Sequence, residues 1–215
     1  MNDEELLRLM VQKGASDLHL RVPSPPVLRI DGTLRPQEDL PSVTPQFIKE
    51  SLEHIANERQ LERFYNELEL DMAHGIPGLA RFRVNAFFQR GTISIAIRQI
   101  PIKVPTIDEL GLPQVCKTLS MKQRGLVLVT GQTGQGKSTT LAAMINHINK
   151  NDRRNVITIE DPIEYLHQHE KCLIAQRELG DDTKSFSNAL KHSLREDPDV
   201  ILVGEMRDLE TISTA

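Results

Sequence analysis

The sequence predicts an α/β protein in two parts, an N-terminal α+β domain and a C-terminal domain built on a mostly parallel sheet flanked by helices. Three observations carry that reading. Residues 125–130 (GLVLVT), 155–160 (NVITIE) and 199–204 (DVILVG) are unbroken aliphatic or β-branched runs. Strands of that composition are buried on both faces, as in parallel sheets. Between the first two, Leu141, Met144, Ile145 and Ile148 recur at helical spacing, so strand, helix and strand form a βαβ unit. The first hundred residues differ: LARFRVNAFF and TISIAIRQI, separated by QRG, read as an antiparallel hairpin.

In chain order, DLHLRV (17–22) and PVLRIDG (26–32) are strand-like, and the second ends in an Asp-Gly turn signal. Phe47, Ile48, Leu52 and Ile55 then mark one face of a helix, opened by Thr44 as cap and Pro45 in its first turn. Residues 99–113, QIPIKVPTIDELGLP, contain three prolines and little periodicity, which predicts a linker. The expected organisation is therefore a domain over 1–98, a linker over 99–113 and a second domain over 114–215.

Composition narrows the function classes. Residues 1–100 carry 12 Lys/Arg against 14 Asp/Glu and residues 101–215 carry 14 against 16, so neither half has the concentrated basic charge of a nucleic-acid binder. No apolar run approaches the roughly 18–20 residues of a membrane span, and the acidic start MNDEELLRLM lacks the order of a signal peptide. Cys116 and Cys172 lie far apart and form no CxxC pair, as expected of reduced thiols in a cytoplasmic protein.

The chemistry begins at GQTGQGKSTT, residues 131–140, where Gly131, Gly136, Lys137 and Ser138 match G-x-x-x-x-G-K-[ST]. The loop follows an apolar strand and opens a helix, the context a phosphate-binding loop requires. Its backbone from Gly131 through Gln132, Thr133, Gly134, Gln135 and Gly136 is expected to curl round phosphates, with the helix N-terminus adding a favourable field. Lys137 then reaches the β- and γ-phosphates of ATP, Ser138 ligates Mg²⁺, and Thr139 completes the binding segment. The other strands end in acids: Glu160 and Asp161, with Glu164 a turn later in EDPIEY, and Glu205 just past VILVG. Ligands of open parallel sheets bind beyond the carboxyl ends of the strands. The loop and these acids are therefore expected to converge, Glu160 and Glu205 acting on Mg²⁺ through water. One acid at a strand end is as often merely solvated; three such strands, one bearing the loop, favour a site. His19 reads as a structural strand residue. His167 and His169 share a strand-like face without a third ligand to make a metal site. RELGDD and HSLRED read as solvated charges.

GQTGQGKSTT, ITIEDPIEYLH and SLREDPDVILVGEMRDLETISTA resemble the Walker A, Asp box and Walker B motifs of the secretion-ATPase superfamily, which powers type IV pili and type II secretion. ASDLHL (15–20) and GLARFRVNAFFQRGTISIAIRQIP (78–101) are similar to its pilus-retraction (PilT-type) branch. The resemblance runs from Ala15 to Ala215. It implies a homohexameric ATPase ring at the cytoplasmic face of the inner membrane, associated with the membrane only peripherally. Each subunit would have a PAS-like N-terminal domain and a RecA-like domain with ATP between them. The implied partners are the inner-membrane platform protein and, indirectly, pilin. Two N-terminal arginines of the family act on the γ-phosphate, and the matching positions are Arg83 and Arg98, with Arg81 a weaker match. Glu205 matches the general base, Glu164 the acid that assists it, and Glu160 and Asp161 the Asp box.

Two features depart from the family. Proline and serine usually stand where this chain has Gln132 and Gln135. Neither side chain is an obligatory ligand, so nucleotide binding is expected to persist with altered loop rigidity. The family also continues past the point reached at Ala215, through a His box and an AIRAGE motif. The RecA-like domain is therefore expected to be incomplete at its C-terminus, with apolar sheet edges exposed and weak or no activity in isolation. Open alternatives are a PilU-like accessory, a pilus-assembly or type II secretion ATPase, and a non-catalytic nucleotide-binding ring subunit. A small-molecule kinase accounts for neither EDPIEY nor the arginine-bearing hairpin.

Overall fold

A computed structural model describes residues 2–100 and 103–215, and two units divide the chain, residues 1–100 and 101–215. Residues 101 and 102 of the expected linker lie outside the described residues. No helix of the described residues is long and apolar enough to cross a membrane.

The N-terminal unit runs α1 (Asp3–Gln12), β1 (Asp17–Leu20), β2 (Val27–Ile30), β3 (Thr33–Pro36), α2 (Pro45–Ile55), α3 (Glu58–Glu67), β4 (Glu69–Ile76), β5 (Ala80–Gln89) and β6 (Thr92–Ile100). Its strands form one antiparallel sheet in the order β3-β2-β1-β6-β5-β4. Both tight hairpins have two consecutive residues at positive φ, Asp31 at 51° with Gly32 at 76°, and Arg90 at 48° with Gly91 at 76°. That pair of dihedrals matches the twist of the flanking strands. Side chains alternate across the sheet. Leu18, Leu20, Leu28, Leu70, Met72, Phe82, Val84, Ile95 and Ile97 enter one core with Leu6, Leu7 and Met10 of α1 and Ile48 and Leu52 of α2. The helices start where local chemistry satisfies their first amides. Thr44 accepts from the Phe47 amide with Pro45 in the first turn, and Asn2 with Glu5 and Asn57 with Gln60 form capping boxes.

The C-terminal unit contains α4 (Val115–Ser120), α5 (Lys137–Asn151), β7 (Asn155–Glu160), β8 (Leu173–Glu178), α6 (Phe186–Ser193), β9 (Val200–Val203) and α7 (Leu209–Thr214). β7 is central in a fully parallel sheet of order β8-β7-β9. Ile145 and Ile148 of α5 pack with Val156 and Ile174 on one face, bordered by Val200 and Leu202. On the other face, Phe186, Ala189 and Leu190 of α6 pack with Ile159, bordered by Ile201 and Val203. Residues of both parities on β7 and β9 are covered, which is why these strands read as unbroken apolar runs.

One expected strand is absent. Residues 125–130 belong to no ladder among the described residues; Leu126 and Leu128 are 65% and 60% exposed. An apolar run adopts a strand only when a neighbour takes up its amides and carbonyls, and no described strand lies alongside this one. The third strand is instead β8, LIAQRE, whose polar second half hides it from a reading based on apolar runs.

Candidate active site

Three glycines shape the phosphate loop: Gly131, Gly134 and Gly136 have φ of 154°, 79° and 80°, a region glycine enters at little cost. Gly136 is the N-cap of α5 and no side chain caps that helix. Its first-turn amides are thus available to an anion. The Lys137 Nζ donates to the Gln132 carbonyl at 2.9 Å, and the Gln135 amide closes on the same carbonyl at 3.3 Å. Gln132 therefore acts through its backbone, and no hydrogen bond or ion pair among the described residues engages either glutamine side chain. Ser138 is exposed at the head of the helix. An exposed hydroxyl at this helix start suits a Mg²⁺ whose other ligands are phosphate oxygens and water.

The Asp box lies against this helix: the Tyr165 hydroxyl donates to the Thr139 Oγ1 at 3.3 Å. Glu160, at the end of β7, accepts from the Thr158 hydroxyl at 2.6 Å and from the Gln176 Nε2 at 3.1 Å, both on Oε1. Burial pushes the Glu160 carboxyl up from its usual range, and the Glu164 charge adds to this, against the lowering effect of those hydrogen bonds and of the Glu164 amide. Asp161 and Glu164 are exposed. Glu205 is drawn to the same strand ends by Gly204, whose amide donates to the Ile159 carbonyl at 2.8 Å. A Cβ on Gly204 would sit 3.2 Å from that carbonyl oxygen and 3.3 Å from the Glu160 Cα. Glycine is therefore what lets the two acidic segments approach. Glu205 pairs with Arg207 at 2.9 Å.

Sequence reasoning missed Gln176. Its Nε2 also donates to the Tyr165 carbonyl at 2.9 Å, and its Oε1 accepts from the His167 amide at 2.8 Å. One side chain on the unpredicted strand β8 thereby links Glu160 to Tyr165 and His167 of the same motif. Glu178, 5% exposed, accepts from the Ile163 amide at 3.2 Å. Burial lowers the His167 ring to about 4, and the His169 Nδ1 accepts from the Ile174 amide at 3.0 Å. RELGDD and HSLRED are less free than expected: Arg177 reaches Glu196 at 3.5 Å, and the Asp182 Oδ2 accepts from the Glu178 amide at 2.9 Å.

In the N-terminal unit, Arg83 and Arg98 are directly opposed on β5 and β6. They occupy the sheet face away from the helical core, which Arg81 shares by parity. Arg83 lies 3.7 Å from Asp71, and the Arg98 Nε donates to the Asp17 Oδ1 at 2.8 Å. His19, on the same face, has both ring nitrogens buried without a hydrogen-bond partner among the described residues. Burial holds its ring below the usual histidine value, helped by Arg21, Arg29 and Arg98 against the opposing pull of Asp17.

Comparison with known proteins gives the family of the chain. The model of the type II/IV secretion system protein family (T2SSE) matches residues 4–215. The type IV pilus retractation ATPase PilT of Pseudomonas aeruginosa is 50% identical over 215 residues, covering all of this chain and 62% of that protein. The type IV pilus ATPase PilU of the same organism is 46% identical, covering all of this chain and 56% of that protein. A crystal structure of the pilus retraction motor PilT with bound ADP superposes with a TM-score of 0.95 at 45% identity, covering all of this chain and 62% of that one. The chain thus spans about three fifths of the length of these relatives. With the match running from residue 4 to residue 215, the chain belongs to the type II/IV secretion system protein family.

Proposed function

We propose that this chain is the nucleotide-binding and hydrolysing part of a pilus-retraction ATPase, a homohexameric motor at the cytoplasmic face of the inner membrane. The observation that carries the reading is the uncapped, glycine-shaped start of α5 beside the Asp box, within a chain 50% identical throughout to a retraction ATPase. The loop amides and the N-terminus of α5 receive the phosphates, and Lys137 leaves the Gln132 carbonyl to meet the β- and γ-phosphates. Mg²⁺, when bound, supplies charge neutralisation across those phosphates. Ser138, and water held by Glu160 and Glu205, are its proposed ligands. Glu205 takes the proton from the attacking water and Glu164 assists it, which yields ADP and phosphate. Arg83 and Arg98 bring guanidinium charge to the γ-phosphate as the N-terminal domain of a ring subunit closes over it. Closure and release rotate the domains, and the motion passes through the platform protein to pilin.

The 46% identity to PilU also supports a second reading, an accessory motor with the same chemistry. Glu205→Gln tests the enzymatic part. It retains Mg-ATP affinity within about threefold while kcat falls on the order of 10²-fold or more, as for loss of a general base. A kcat within twofold of wild type refutes hydrolysis through Glu205. Deletion of the gene separates the biological readings: excess surface pili support retraction, bare cells refute it in favour of assembly, and unchanged piliation supports the accessory role.

A further inference from the structure

The outer face of the N-terminal sheet holds an acid that the proposed reaction has not used. The registers of β2, β1, β6 and β5 align Arg29, Asp17, Arg98 and Arg83 in one row; Arg29 and Arg98 flank the Asp17 carboxylate, and Arg83, one strand further, lies 3.7 Å from Asp71. Asp17 is 7% exposed, and both of its oxygens are engaged. Oδ1 accepts from the Arg98 Nε at 2.8 Å, Oδ2 accepts from the Ser16 hydroxyl at 2.8 Å, and the Arg29 Nε lies 3.7 Å from Oδ2. Burial alone would raise this carboxyl, but the hydrogen bonds from Ser16 and Arg98, with the Arg98 charge, hold it below its usual value. The carboxylate is thus ionised and fixed.

The partner is far less constrained. The Arg98 side chain is 68% exposed, and its only hydrogen bond among the described residues is through Nε. A bond at Nε sets the plane of a guanidinium and leaves both Nη groups unspent, the edge that meets phosphate bidentately. An exposed ion pair of ordinary kind needs no buried, doubly bonded acid, and contributes little to stability. We propose that Asp17, braced by Ser16, is a positioning residue that holds Arg98 by its Nε and presents the Nη edge to the terminal phosphate of the nucleotide. This rests on the reading in which Arg98 acts on that phosphate.

The test is steady-state Mg-ATP hydrolysis by the assembled full-length protein carrying Asp17→Asn, Arg98→Ala, or both. Arg98→Ala is expected to lower kcat at least tenfold. Asp17→Asn is expected to lower kcat about tenfold with KM within twofold, and to cost less than twofold further in the Arg98→Ala background. Asp17→Glu restores part of the loss. If Arg98→Ala slows turnover while Asp17→Asn does not, or if the two losses multiply in full, the positioning role is refuted and the arginine reading stands. If Arg98→Ala leaves kcat unchanged, the arginine reading itself fails. Should Asp17→Asn not fold, Ser16→Ala removes the brace and keeps the charge. A roughly threefold drop in kcat at unchanged thermal stability supports the proposal, and an unchanged kcat overturns it.

Discussion

Replacing Gly204 with alanine puts the close approach of β7 and β9 to a quantitative test. The added Cβ would stand 3.2 Å from the Ile159 carbonyl oxygen and 3.3 Å from the Glu160 Cα, both backbone atoms that cannot swing aside. The same carbonyl accepts the Gly204 amide at 2.8 Å, so relief by parting the strands lengthens the bond that continues the ladder past β9. Overpacking costs about 1–3 kcal/mol, and weakening that hydrogen bond adds about 0.5–1 kcal/mol. The alanine recovers about 0.4–1 kcal/mol by restricting the unfolded chain. The net expectation is a loss of about 1–3 kcal/mol. Displacement matters more for function: moving strand ends by a few tenths of an ångström shifts Glu205 against Glu160. On the scale where a 1 Å error costs about 10²-fold, kcat should fall roughly threefold to tenfold. Thermal unfolding reads the first quantity, and kcat against KM for Mg-ATP in the full-length protein reads the second. A Gly204→Ala protein as stable as wild type, with unchanged kcat, would show that the two segments do not need this contact.

Gln176→Leu removes three hydrogen bonds, to Glu160, to the Tyr165 carbonyl and from the His167 amide. It should destabilise the C-terminal unit by about 1–3 kcal/mol and raise amide exchange across residues 164–168, measurable by hydrogen–deuterium exchange. His167 makes stability pH-dependent. Its folded-state value, about 4, lies below the unfolded value of about 6.5, so the unfolded chain binds the extra proton and stability is lost as pH falls from about 6.5 to 4. Denaturant titrations across that window should show a fall of about 2–3 kcal/mol attributable to this ring, and His167→Gln should flatten it.

The phosphate loop was legible because its chemistry is local: glycines at the positive-φ positions, then Lys137 and Ser138 at a helix start, make a short continuous device. The Asp31-Gly32 turn, the Thr44-Pro45 helix start and the hairpin of β5 and β6 were legible for the same reason. β4 and β8 were not. ELDMAHGI is broken by Glu69, Asp71 and His74 and LIAQRE ends in Gln176, Arg177 and Glu178, and only pairing with β5 and β7 makes them strands. Gln176 was invisible with β8, since a lone glutamine has no motif. Residues 125–130 failed in the opposite direction, because apolar composition predicted a strand that pairing with described neighbours does not supply.

The sequence by itself determined the family, the loop, the identity of the strand-end acids and the division into an antiparallel and a parallel part, all encoded in short-range spacing and turn chemistry. Tertiary structure decided which strands pair, that Gly204 draws the Glu205 segment against the end of β7, and that Gln176 ties Glu160 to Tyr165 and His167. It also decided that a buried Asp17 holds Arg98 from 81 residues away in the chain. Such contacts join residues far apart in sequence, and they exist only once backbone hydrogen bonding and burial have fixed which strand lies beside which.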